Sequence, residues 1–357
     1  MMPTALKPRQ ILLAVMVAAF GAALILPYAV PGWGEIRLAH TPPSPRAARQ
    51  LEALRTAQLR PEQATPTVPD LAQPMRIPLK KRFGHYFLEA RLNGRSATLM
   101  LDCGAPAPLT LTPQAVIRSQ SRLAADGAAL VVPGEPARAL GLTDELTLHG
   151  QVKCDNLSFA MLPETPTVTA MGWLPLCRPD GVIGIGLLGQ FRKFGLDLTG
   201  NALWLGGFPK EISWFSNMMT LQCRERDGAL YLDVAIEQTV LEMRIDIGGT
   251  DDFLVLFGAH AKTFMDRHRN SLLPARCFVS GGRELKGFTG QASHVRTGGL
   301  QLSHIPVFLA PDAVPPGTHG LVGNRLFGIG LYEQAFIGFD MEAHTISIYL
   351  DGAPGRK

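Results

Sequence analysis

The chain repeats itself at long range, and no other feature constrains its fold as strongly. Ala97-Thr98-Leu99-Met100-Leu101 is a β-like run that ends at Asp102, and Leu241-Glu242-Met243-Arg244-Ile245 is a second run that ends at Asp246. Each aspartate opens a glycine-containing turn, Asp102-Cys103-Gly104-Ala105 and Asp246-Ile247-Gly248-Gly249-Thr250. Apolar residues follow both turns, in Leu109-Thr110-Leu111 and Phe253-Leu254-Val255-Leu256. Further on, Gly181-Val182-Ile183-Gly184 leads to Phe194-Gly195-Leu196-Asp197, and Gly320-Leu321-Val322-Gly323 leads to Ile337-Gly338-Phe339-Asp340. Asp102 and Asp246 are 144 positions apart, and Asp197 and Asp340 are 143 apart. Four landmarks in one order at one offset mark an internal duplication into two lobes of about 130 residues, far too long a period for a solenoid.

The local pattern is that of a β protein. Tyr86 to Leu92 forms a strand-like run, Asn93-Gly94 is a hairpin turn signal, and the next run delivers Asp102 at the end of a buried strand. Leu230 to Ile236 and Leu241 to Ile245 repeat the arrangement before Asp246. Of 357 residues, 46% are apolar and 18% charged, which suits a folded chain with a sizeable core. The 37 glycines and 28 prolines fit many turns. A net charge of +4 on this length gives no reason to propose a nucleic-acid partner.

Each half resembles a retropepsin-type lobe of the aspartic peptidases. Such a lobe carries an apolar strand running into Asp-Thr/Ser-Gly-Ala/Ser/Thr, and an apolar-apolar-Gly segment that braces the active loop. Here those braces are Val182-Ile183-Gly184 and Leu321-Val322-Gly323. The resemblance spans Phe83 to Leu350 and implies an all-β fold of two homologous β-barrel lobes with a cleft between them. It also implies a paired site with Asp102 and Asp246 as the catalytic carboxylates. Cys103, Gly104, Ala105, Ile247, Gly248, Gly249, Gly184 and Gly323 would support the active loops. Two carboxylates held about 3 Å apart share one proton, so one serves as base and the other as acid. The implied reaction is endopeptidase hydrolysis of a protein or peptide substrate without metal, cofactor or covalent intermediate. With both lobes in one chain, a monomer suffices.

Two positions depart from the family pattern. The Thr or Ser that locks the two loops is replaced by Cys103, a weak donor, and by Ile247, which has no side-chain donor. The locking network is therefore weaker or replaced, and the alternative function is a catalytically degenerate binding or scaffold protein. A hairpin flap is expected within Val131 to Leu148 and within Ser280 to Gly290.

Other motifs have plainer readings. Gly184-Ile185-Gly186-Leu187-Leu188-Gly189 matches a dinucleotide fingerprint, but its repeat counterpart, Gly323-Asn324-Arg325-Leu326-Phe327-Gly328, does not keep the pattern. Asp197 and Asp340 read as turn-forming residues. Lys80-Lys81-Arg82 reads as a solvated basic patch. No GxSxG elbow supports a serine hydrolase, and the nine histidines form no HExxH-type cluster, so no metal site is expected.

The N-terminus is distinct. Lys7 and Arg9 precede an uncharged stretch, Ile11 to Val30, long enough to span a bilayer. Residues 1–31 read as a transmembrane anchor with the chain's remainder exported, in a bacterial setting to the periplasm; a cleaved signal peptide is the competing reading. Residues 32–82 read as a Pro/Ala-rich linker, with a short helix in Arg46 to Arg60 and a stiff spacer after it. A pro-segment is the alternative for that stretch. The lobes are then 83–210 and 211–357. Five cysteines form no CxxC pair, and Cys154 with Cys177 is the first disulfide to test.

Overall fold

The computed structural model describes residues 36–82, 85–125, 129–130, 138–170, 174–197, 199–210, 212, 217–247, 254–279, 283–313, 315, 317–323 and 334–351. The expected anchor, Ile11 to Val30, lies outside them. Among the described residues no helix is long and apolar enough to cross a membrane. Of these residues, 36–39 with 167–170 and 174–178 form one compact unit, and the others form a second. The smaller is built on a three-stranded sheet of Ile36–Thr41, Thr165–Ala170 and Leu174–Cys177, in that order.

The larger unit is mostly β. Its strands in the first half are β1 (Met75–Pro78), β2 (Lys80–Arg82), β3 (His85–Leu92), β4 (Arg95–Asp102), β5 (Leu109–Leu111), β6 (Arg138–Leu148), β7 (Val152–Met161), β8 (Gly181–Gly184), β9 (Lys193–Asp197) and β10 (Ala202–Leu205). The second half supplies β11 (Asn217–Gln222), β12 (Arg224–Arg226), β13 (Ala229–Ile236), β14 (Thr239–Ile245), β15 (Leu254–Phe257), β16 (Leu273–Val279), β17 (Arg283–Thr297), β18 (Leu300–Ala310), β19 (Gly320–Val322), β20 (Gln334–Asp340) and β21 (Thr345–Asp351). Three helices matter below: α1 (Pro45–Ala53), α2 (Pro113–Ser119) and α3 (Gly258–His268).

The two halves order their strands alike. Over seven strands the first sheet runs β2-β3-β4-β8-β5-β7-β6 and the second β12-β13-β14-β19-β15-β18-β17; the first continues through Arg122–Ala124 to Arg55–Thr56, and the second to β16. Extra pairings of β6 with β3 and of β17 with β13 curl each sheet towards a barrel. In the first half Asn93-Gly94 makes the expected hairpin turn between β3 and β4, with φ of 46° and 76°, as a primed two-residue turn requires. Alternation then sets the faces. Along β4, Ala97, Leu99 and Leu101 are buried while the residues between them are less so, a period of two that places one face in the core. Surface pairs follow the same offset: Lys80 pairs with Glu89, and 144 positions on, Arg224 pairs with Asp233.

A third sheet joins the halves in the order β11-β21-β20-β9-β10-β1. At its centre β9 lies antiparallel to β20, with Gly195 opposite Gly338, Phe194 opposite Phe339 and Leu196 opposite Ile337. Gly195 and Gly338 are themselves 143 positions apart. The duplicated segments therefore meet on an approximate two-fold axis through this glycine pair. The Phe194 and Phe339 rings stack there, 4.4 Å between centroids.

The stretch expected as helix and spacer is folded along the first half. Ser44 caps α1, accepting the Ala47 amide at 3.2 Å, and the helix ends at Ala53, short of the expected Arg60. Arg55–Thr56 then pairs with Arg122–Ala124, Thr67 bridges Asp155, and β1 pairs with β10 in the central sheet. Leu51, Leu59, Ile77 and Leu79 are buried. Apolar side chains spaced between the prolines hold this segment down.

Candidate active site

Asp102 closes β4. The strand β8 lies parallel to it, with Ile183 opposite Leu101 and Gly184 opposite Asp102. On its other side β8 pairs antiparallel with β5. The brace therefore threads between the strand entering the loop and the strand leaving it. The second half repeats the arrangement: β19 is parallel to β14, with Val322 opposite Ile245, and antiparallel to β15. Asp246 donates its amide to the Val322 carbonyl at 2.9 Å. Both carboxylates are withdrawn from solvent, Asp102 at 2% exposure and Asp246 at 8%.

The two loops meet at Gly104. A Cβ placed on Gly104 would lie 2.6 Å from Asp246 Oδ1 and 3.1 Å from Asp102 Oδ1. The acidic oxygens of both halves thus crowd one backbone position, and a side chain there would displace a carboxylate. The Gly104 amide donates to Asp102 Oδ1 at 2.8 Å.

The loops are also joined directly. Cys103 donates its backbone amide to the Ile247 carbonyl at 2.8 Å, and both side chains are buried. The link needs no hydroxyl, so the Cys and Ile found at the locking positions are compatible with it. Burial, then the charges of Asp102 and Asp246, push the Cys103 thiol well above its usual range, and it stays protonated.

The rest of the first loop packs on the brace. Ile185 donates its amide to the Ala105 carbonyl at 2.9 Å. A Cβ on Gly184 would stand 2.2 Å from the Ala107 carbonyl oxygen and 2.3 Å from that of Ala105. The fingerprint-like glycine at 184 therefore serves close packing of this loop. Gly323 is buried behind β19, whereas Gly248 and Gly249 lie outside the described residues. Asp197 and Asp340 act in turns: Asp197 Oδ1 accepts the Gly200 amide at 2.5 Å and Asp340 Oδ1 the Ala343 amide at 3.0 Å.

The flap candidates fall on hairpins. Ala129–Leu130 pairs with β6 and β16 with β17; residues 131–137 and 280–282 between those strands lie outside the described residues. The Cys154–Cys177 disulfide named as the first to test is not formed. Cys154 is a free, buried thiol, and burial in the core raises its pKa to about 12. No group of three or more His, Cys, Asp or Glu residues that could hold a metal occurs among the described residues.

Sequence reasoning missed Asp180. It stands directly before β8 and accepts the Thr98 amide on Oδ2 at 2.8 Å, while Arg118 of α2 pairs with its Oδ1 at 2.7 Å. An acidic residue immediately before an apolar strand was the available signal.

No protein-family model matches the chain, and no curated protein matches it. Among solved structures it is similar to basic 7S globulin from soybean, at 11% identity and a TM-score of 0.46, over 78% of this chain and 95% of that one.

Proposed function

We propose that the chain is an aspartic endopeptidase in which Asp102 and Asp246 activate water on a peptide bond. The observation that carries the reading is their burial around the same Gly104, each at the end of a strand braced by a parallel neighbour. The ionised member of the pair takes a proton from water. The protonated member polarises the scissile carbonyl and helps to protonate the leaving amine. The repeated strand order and the joining sheet support a retropepsin-like, two-lobed fold with a cleft between the lobes. A monomer then suffices, because each lobe contributes one carboxylate.

The apolar stretch Ile11 to Val30 and its flanking Lys7 and Arg9 support a membrane-anchored enzyme. Its body then faces the periplasm or exterior, where protein or peptide substrates are met.

The second reading is a binding or scaffold protein that keeps the fold without the chemistry. Cys103 and Ile247 favour it, since neither supplies a hydroxyl to the loops. Incubation of the full chain with a mixed peptide library, from about pH 3 to 8, separates the two readings. Cleavage abolished by both Asp102→Asn and Asp246→Asn supports the endopeptidase. A folded chain that cleaves nothing across that range leaves the scaffold.

A further inference from the structure

We propose that Asp180 is a positioning residue for Asp102, acting through the full length of β8; the inference rests on reading Asp102 as a catalytic carboxylate. Asp180 and Asp102 mark the two ends of one parallel ladder. At the far end, Asp180 donates its amide to the Thr98 carbonyl at 2.8 Å and accepts the Thr98 amide on Oδ2 at 2.8 Å. Gly181, Val182 and Ile183 then pair in register with Leu99, Met100 and Leu101, and Gly184 arrives opposite Asp102. At about 3.3 Å per residue the ladder is a strut about 13 Å long. Fixing its far end fixes which residue of β8 stands beside the carboxylate, because a slip of one residue turns every side chain to the other face.

Asp180 gathers the neighbouring elements as well. Its carbonyl accepts the Thr112 amide at 2.9 Å, where β5 passes into α2. Its Oδ1 meets Arg118 Nη2, from the end of the same helix, at 2.7 Å. The strand entering the active loop, the strand leaving it and the helix beyond all converge on this residue. The ion pair is partly shielded, with the Asp180 side chain 19% exposed.

The second half separates the needs of the fold from this extra device. His319 occupies the matching place before β19. It makes the same two backbone bonds, donating to the Glu242 carbonyl at 3.3 Å and accepting the Phe257 amide at 3.1 Å. Its side chain packs on His260 of α3, with ring centroids 4.6 Å apart, and a hydroxyl nearby, Thr318 Oγ1, accepts the Arg244 amide at 3.3 Å. The strut is thus built twice, but among the described residues the clamping carboxylate is present only behind Asp102.

The test uses the full chain labelled with 13C at the aspartate carboxyl carbons, the Asp102 signal being assigned by its loss in Asp102→Asn. Asp180→Ala removes the acceptor and the ion pair, and Asp180→Asn keeps an acceptor but loses the charge. In Asp180→Ala the Asp102 signal is expected to move and its titration midpoint to shift. On a cleaved peptide, kcat is expected to fall about tenfold or more with KM within about twofold, since small misplacements of a reacting group are costly. Asp180→Asn gives the same changes at smaller amplitude and carries the test if the alanine variant does not fold. A folded variant with a lower melting temperature but an unmoved Asp102 signal and midpoint overturns the proposal and leaves Asp180 a structural residue. Absence of cleavage by the unmodified chain overturns the endopeptidase reading instead, and the carboxyl signal still decides the role of Asp180.

Discussion

The backbone amide of Cys103 reaches the carbonyl of Ile247 across 2.8 Å. The residue after one candidate carboxylate is thereby tied to the residue after the other. The tie runs through the main chain, so side-chain changes at the two positions separate locking from packing. Cys103→Ser keeps the bond and the volume, and is expected to change the rate by less than about tenfold. Ile247→Ala keeps the bond but empties a fully buried site, and is expected to cost about 2–5 kcal/mol of stability. Chemical denaturation beside peptide hydrolysis measures both.

Gly104 is the position where crowding acts on both carboxylates at once. In Gly104→Ala the new methyl would stand 2.6 Å from Asp246 Oδ1, inside any tolerable contact. A carboxylate or the loop must shift. Turnover is expected to fall by about a hundredfold or more, with a stability loss of about 1–3 kcal/mol. Turnover close to the unmodified rate in a folded Gly104→Ala chain contradicts this placement of the two oxygens.

The stacked pair Phe194 and Phe339 sits where the halves pair strand to strand. Phe194→Ala is expected to destabilise the chain by about 3–5 kcal/mol. Equilibrium unfolding is the measurement, and a loss under about 1 kcal/mol contradicts a core role for the ring.

Acid should weaken the second half through His260. Burial first, and the neighbouring His319 second, lower its pKa below the usual 6.5. The folded state therefore holds this proton less tightly than the unfolded state. The associated stability is complete above pH 6.5 and is lost as pH falls from there through the lower folded-state value. Calorimetric melting between about pH 7.5 and 5 should show a steeper decline for the unmodified chain than for His260→Gln. Equal slopes contradict the assignment.

Much of this arrangement was legible in the sequence because the duplication fixes paired landmarks. Asp102 with Asp246, and Gly184 with Gly323, were paired by the repeat spacing and given their roles by the resemblance to aspartic-peptidase lobes, and the turn roles of Asp197 and Asp340 followed from the residues after them. Of the segment before Phe83, the short helix was legible and the folded stretch after it was not. Its prolines read as a spacer, while Leu51, Leu59 and Ile77 are too widely spaced to show a period. Asp180 escaped because its significance lies in a register, β8 against β4, that only the paired strands reveal. The tie between Cys103 and Ile247 was invisible for a similar reason: a main-chain bond leaves no trace in side-chain identity. The Cys154–Cys177 pairing failed because spacing says nothing of where a thiol is buried.

The central claim is that Asp102 and Asp246 act as one pair, and carboxyl titration by 13C NMR on the full chain tests it without any substrate. A coupled pair should lose its protons in two well-separated steps, the upper one displaced above the ordinary carboxylate range of about 4. Asp102→Asn should then collapse the Asp246 titration to a single step. Two carboxylates that titrate independently near that ordinary range, each indifferent to substitution of the other, would contradict the account.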